Sequence, residues 1–139
     1  MAYSVRFTGF SKSDGSELLN IEPSWWSVGD LKKYLTCKWK VSNDTGSYRD
    51  EDADILIDQA RMLHQKFAPI ALDRITFNEN CIRSERLKSD EYAAIRLADY
   101  VKCVAEQKAE FDSIDLAVGA DSDQFSHFHV CIFEWESGY

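Results

Sequence analysis

The chain has 139 residues, 45% of them hydrophobic and 13% aromatic, and a formal charge of −8 from 16 Lys+Arg against 24 Asp+Glu. That length points to one domain burying roughly two-thirds of its unfolded surface. The composition, with two prolines and six glycines, excludes a disordered, collagen-like or low-complexity chain.

Tyr3-Ser4-Val5-Arg6-Phe7-Thr8 alternates apolar and polar residues and predicts a half-buried strand, broken at Gly9. Ser11 to Gly15 is rich in turn residues, and Leu18 to Ile21 predicts a short second strand ended by Pro23. Ser27 followed by Asp30 resembles a helix N-cap with an acid in the first turn, which predicts a short helix over Val28–Lys38. Ser42 to Ser47 reads as a polar loop. Ala53, Leu56, Ile57, Ala60, Leu63 and Phe67 recur at intervals of three and four, predicting an amphipathic helix over Asp50–Phe67, with its acids at the positive end of the dipole and Pro69 as its stop. Arg74 to Asn78 predicts a strand, and Ser89 caps a third helix running to Glu110 that is apolar around much of its circumference and therefore expected to be central. Ile114–Val118 and Phe125–Trp135 read as a final hairpin turned at Gly119–Asp123. The expected order β(β)ααβαββ is an α+β fold, a single domain over 1–139, with about three helices packed on an antiparallel or mixed sheet.

No run approaches about 18 consecutive apolar residues, so no membrane span is expected. Met1 to Phe10 lacks a basic stretch followed by an apolar one, so the expected location is the cytoplasm, with Cys37, Cys81, Cys103 and Cys131 reduced.

His127-Phe128-His129-Val130-Cys131 is the one local pattern with metal-site character. On a strand His127, His129 and Cys131 share a face and could begin a zinc site or, with a base beside Cys131, a nucleophile. Phe125, Phe133 and Trp135 are expected on that same face, which favours packing or partner contact. His64 is expected at the boundary of its helix's apolar stripe. Asp121-Ser122-Asp123 lacks the further ligands of a calcium loop, and no phosphate loop, GxGxxG, HExxH or GxSxG occurs. No catalytic residue and no cofactor is assigned.

Charge is the more informative feature. Residues 1–70 hold 9 basic and 10 acidic residues, and residues 71–139 hold 7 and 14. The excess lies in Asp50, Glu51, Asp52, Asp54 and Asp58, and in a second segment with Asp112, Asp115, Asp121 and Asp123. A nucleic-acid binder needs a basic face; this field suits a basic protein partner instead. Lys32, Lys33, Lys38 and Lys40 read as a solvated face, and the Trp25-Trp26 pair as a candidate interface anchor.

In its size, lack of a signal segment, lack of a catalytic signature, and acidic stretches Asp50–Asp54 and Asp112–Asp123, the chain resembles bacterial immunity proteins of the contact-dependent growth inhibition type. The resemblance implies tight binding to a basic toxin domain, most often a nuclease, and the acids above with Trp25 and Trp26 as contact residues. Two other readings stand beside it. One is a metal-dependent enzyme centred on His127, His129 and Cys131. The other is a phage or bacterial accessory protein that binds a host factor. Oligomeric state is left open.

Overall fold

Alternating apolar residues build a five-stranded sheet, and the longer apolar stripes cover one face of it. The computed structural model of the chain describes residues 2–44, 49–119 and 123–135. In chain order these form β1 (Ala2–Ser11), β2 (Glu17–Ile21), α1 (Val28–Tyr34), β3 (Lys40–Asp44), β4 (Arg49–Ile55), α2 (Ile57–Arg86), α3 (Ala93–Ala117) and β5 (Phe125–Trp135). The strands lie in the order β2-β1-β5-β4-β3, every neighbour antiparallel. This is the α+β class expected. Among the described residues no helix is long and apolar enough to cross a membrane.

The core lies between sheet and helices. Val5 and Phe7 of β1, Ile55 of β4, and Phe128, Val130 and Ile132 of β5 meet Leu31, Leu63, Phe67, Ala71, Ile114 and Ala117. A train of rings crosses it: Phe125 to Phe128 at 4.9 Å, Phe128 to Phe7 at 5.1 Å, Phe7 to Trp26 at 4.9 Å, Trp26 to Phe67 at 5.4 Å and Phe67 to Tyr34 at 5.6 Å. Such pairs add to the stabilisation from burial alone. A Cβ on Gly9 would lie 2.6 Å from the Phe125 ring, so the train needs a glycine there.

Several expected elements take another form. Asp50–Ile55 is a strand, not the start of a helix. Ala53 and Ile55 are buried by a period of two, and the ladder to β5 outweighs the poor strand propensity of the aspartates. Ser42–Asp44, expected as loop, belong to the edge strand Lys40–Asp44 paired with it; Thr45–Ser47 lie outside the described residues. Pro69 does not stop α2, because Phe67 before it and Ala71 after it are both held in the core. The expected strand Arg74–Asn78 is therefore helical. So is Ile114–Val118 up to Ala117, and β5 pairs with β1 and β4 instead of closing a hairpin. α1 stops at Tyr34, short of Lys38. Ser27 does stand at its N-cap, but its hydroxyl donates to the Asp30 carboxylate at 2.7 Å. Tyr92, not Ser89, precedes α3, and its backbone N–H donates to Asp90 at 3.1 Å. α3 is not central: Ile95, Val101 and Leu116 are exposed, and only a narrow stripe is buried.

At the turn between α2 and α3, buried Glu85 accepts from Lys88 Nζ at 3.0 Å and Arg96 Nε at 2.9 Å, while Arg96 also donates to Asp90 at 2.7 Å. The Lys88 and Arg96 hydrogen bonds hold the Glu85 carboxyl below the usual carboxylate range, and Arg96 does the same for Asp90. A depressed folded pKa gives stability that is present above the ordinary carboxylate range and lost as pH falls through it. The urea midpoint of Glu85→Gln is therefore expected below wild type at pH 7, with the gap closing toward pH 3. A gap of constant size would mean that the carboxylate charge is not what holds this turn.

Candidate partner-binding face

The helices cover one side of the sheet, and among the described residues no element covers the other. Antiparallel register arranges that free side in rows. One row runs Arg6, Cys131, Asp52, Lys40 across β1, β5, β4 and β3, and the next runs Asn20, Thr8, His129, Asp54 across β2, β1, β5 and β4. Asp50, Asp52 and Asp54 thus form a column down β4.

His127, His129 and Cys131 share this face as expected, but they do not converge. The His127 ring stacks on Phe10 at 4.8 Å, and its Nδ1 is hydrogen-bonded with the Ser126 hydroxyl at 2.9 Å. His129 Nε2 turns the other way, to Asp52 Oδ1 at 3.1 Å. Cys131 is half-buried between Arg6 and Asp52, and burial, with Asp52 as its hydrogen-bond partner and the Asp52 and Asp50 charges nearby, pushes its thiol up to about 12. A thiol so raised supplies almost no thiolate near neutrality, the form a nucleophile requires. Among the described residues no three His, Cys, Asp or Glu side chains are placed to hold a metal ion.

The aromatic neighbours also divide. Phe133 stays on the free face, under the Arg6 guanidinium at 4.9 Å. A bulge opposite Phe10 and Ser11 turns Phe125 to the helix side, where it packs on the core, contrary to expectation. The Trp135 side chain lies outside what is described.

The predicted contact acids fall in three places. Asp50, Asp52 and Asp54 are on the free sheet face, with Asp54 exposed, Asp50 half-buried, and Asp52 committed to His129. Glu51 points to the helix side, where it pairs with Lys32. Asp58 stands exposed in the first turn of α2, 3.6 Å from Arg61. Asp112 and Asp115 belong to α3, in the layer opposite the acidic column, so the two acidic segments do not make one surface. Asp123 is exposed beside the Ser11–Ser16 turn, and Asp121 lies outside the described residues. Trp25 and Trp26 are 2% and 3% exposed. They are core residues rather than surface anchors, because both belong to the buried cluster and Trp26 stacks between Phe7 and Phe67.

Sequence reasoning missed a junction between α2 and α3. Arg61 donates to the carbonyls of Val118 at 2.7 Å and Gly119 at 3.0 Å, satisfying the C-terminal end of α3. His64, expected at a boundary, is buried with Nε2 3.0 Å from Asp115 Oδ1 and its ring 5.0 Å from Phe111. A cleft of about 470 Å³ opens over these groups. His64 and Asp115 are 51 positions apart, and no local pattern links them.

No family model, curated protein or solved structure matches the chain.

Proposed function

We propose that this protein is a binding module that holds a basic protein domain, in the manner of an immunity protein neutralising its toxin. The column of Asp50, Asp52 and Asp54 on the helix-free face of the sheet carries this reading. A nuclease toxin needs a cationic cleft for phosphates, and a complementary acidic surface accelerates encounter and selects the partner. Phe10, His127 and Phe133, half-buried on the same face, offer the apolar area that sets the off-rate. The protein would act by occupancy, in the cytoplasm, without a cofactor.

Co-purification from the native host is expected to recover a basic domain whose association slows with added salt. Asp50→Lys with Asp54→Lys, which spares the Asp52–His129 pair, should lower the on-rate by about tenfold or more while far-UV circular dichroism stays unchanged. Wild-type on-rates in that double variant, or a partner without a basic surface, reject the reading. A toxin gene beside this one separates a toxin partner from a host factor bound by an accessory protein.

A further inference from the structure

α2 and α3 run beyond the sheet as a two-helix arm. Ala71 is the last α2 residue in the sheet-side core, and Phe111 is the first α3 residue packed against it. Between these points the helices hold each other: Asn78 Nδ2 donates to Gln107 at 3.0 Å, and Lys108 meets Glu79 at 3.3 Å. From Ala71 to Arg86 the arm projects about 22 Å at 1.5 Å per residue. Among its described residues the buried seam is thin, chiefly Ile75, Glu85, Ala93 and Val104. Large apolar side chains stay outside it, with Phe77 67% exposed and Leu87 89%. A pair of helices with so little shared core gains most from a second pair packed on it.

One side of the arm has the shape for that. A groove of about 590 Å³ is lined by Ile70, Asp73, Arg74, Phe77, Asn78 and Gln107. Its charge also fits one kind of occupant. Residues 70–110 hold seven basic and eight acidic side chains, so all but one unit of the chain's −8 lies elsewhere. A basic partner gains nothing here, whereas another copy of this acidic chain approaches without like-charge repulsion. A face about 25 Å long and about 20 Å wide buries on the order of 1,000 Å² over both copies, the lower bound for a specific interface.

The geometry points to a second copy of this chain seated on the arm, the two arms packing groove to groove as a four-helix bundle with Phe77 of each copy in the groove of the other. This assignment is independent of the sheet face and of any basic partner. Sedimentation equilibrium of the full chain from low to high micromolar concentration tests it. The expected result is a reversible monomer–dimer equilibrium that is the same in low and high salt. Phe77→Glu should weaken it by at least about 30-fold, as for a central interface residue, with unchanged circular dichroism, and Ile70→Glu should act the same way. Leu116→Glu, exposed on α3 outside the arm, should dimerise like wild type. A chain monomeric throughout, a dimer that dissociates in high salt, a dimer that survives both groove substitutions, or one lost in Leu116→Glu overturns the proposal.

Discussion

Phe128→Ala is expected to cost about 3–5 kcal/mol, the range for removing a fully buried ring. Phe128 sits mid-way along the central strand, fully enclosed. It is stacked nearly parallel on Phe7 and in contact with Phe125. Phe7 in turn holds Trp26, which holds Phe67 of α2. The ring neighbours of the lost side chain belong to β1 and β5, and collapse of Phe7 toward the void would pull it from Trp26 and, through it, from α2. Domains of this kind hold about 5–15 kcal/mol in total, so the variant should lose about a fifth or more of its margin. Urea unfolding followed by tryptophan fluorescence reads the change as a lower midpoint with an unaltered slope. A loss under about 1.5 kcal/mol, the size of a tolerated swap, would show that the ring train does not organise the core.

Pro69→Ala should work in the opposite direction and stabilise the protein by about 1–3 kcal/mol. A proline inside a helix costs on the order of 3 kcal/mol through its missing N–H and its clash with the preceding turn. Pro69 is exposed in the interior of α2, so its ring returns little by packing. Alanine restores a donor toward the Gln65 carbonyl and a better helix former. Thermal unfolding of the variant should move upward. A downward shift would instead show that Pro69 helps Phe67 and Ala71 reach the sheet together.

That same proline explains much of what the sequence concealed. Locally it is a stop signal, and only the burial of Phe67 and Ala71 on its two sides carries the helix through it; every element expected between 70 and 88 then shifts. Tyr3–Thr8 was legible because one face of the strand is core and the other is not, and Phe125–Trp135 because Phe128, Val130 and Ile132 keep a period of two. Asp50–Ile55 was ambiguous, since Ala53, Leu56, Ile57 and Ala60 satisfy a helical period while Ala53 and Ile55 also satisfy a strand period. The ladder to β5, distant in sequence, decides it. The candidate site was half legible. The shared face of His127, His129 and Cys131 follows from strand geometry alone. Their divergence does not, because it depends on Phe10 and Asp52, which β1 and β4 bring from elsewhere. The acidic excess was visible as composition, but its division between the sheet face and α3 required the fold.

The strand order has a consequence for synthesis. Among the five described strands β5 is made last, yet it occupies the middle of the sheet, between β1 and β4. Until it emerges, β1 and β4 each expose an unpaired inner edge, and Val5, Phe7 and Ile55 have no central strand to pack beside. More than a hundred residues separate the paired positions of β1 and β5, a loop whose closure must precede the contacts that reward it. Pairing of β5 is therefore the decisive late step of folding. The nascent chain spends its vulnerable interval as two open-edged hairpins, the form most prone to pair with a neighbour.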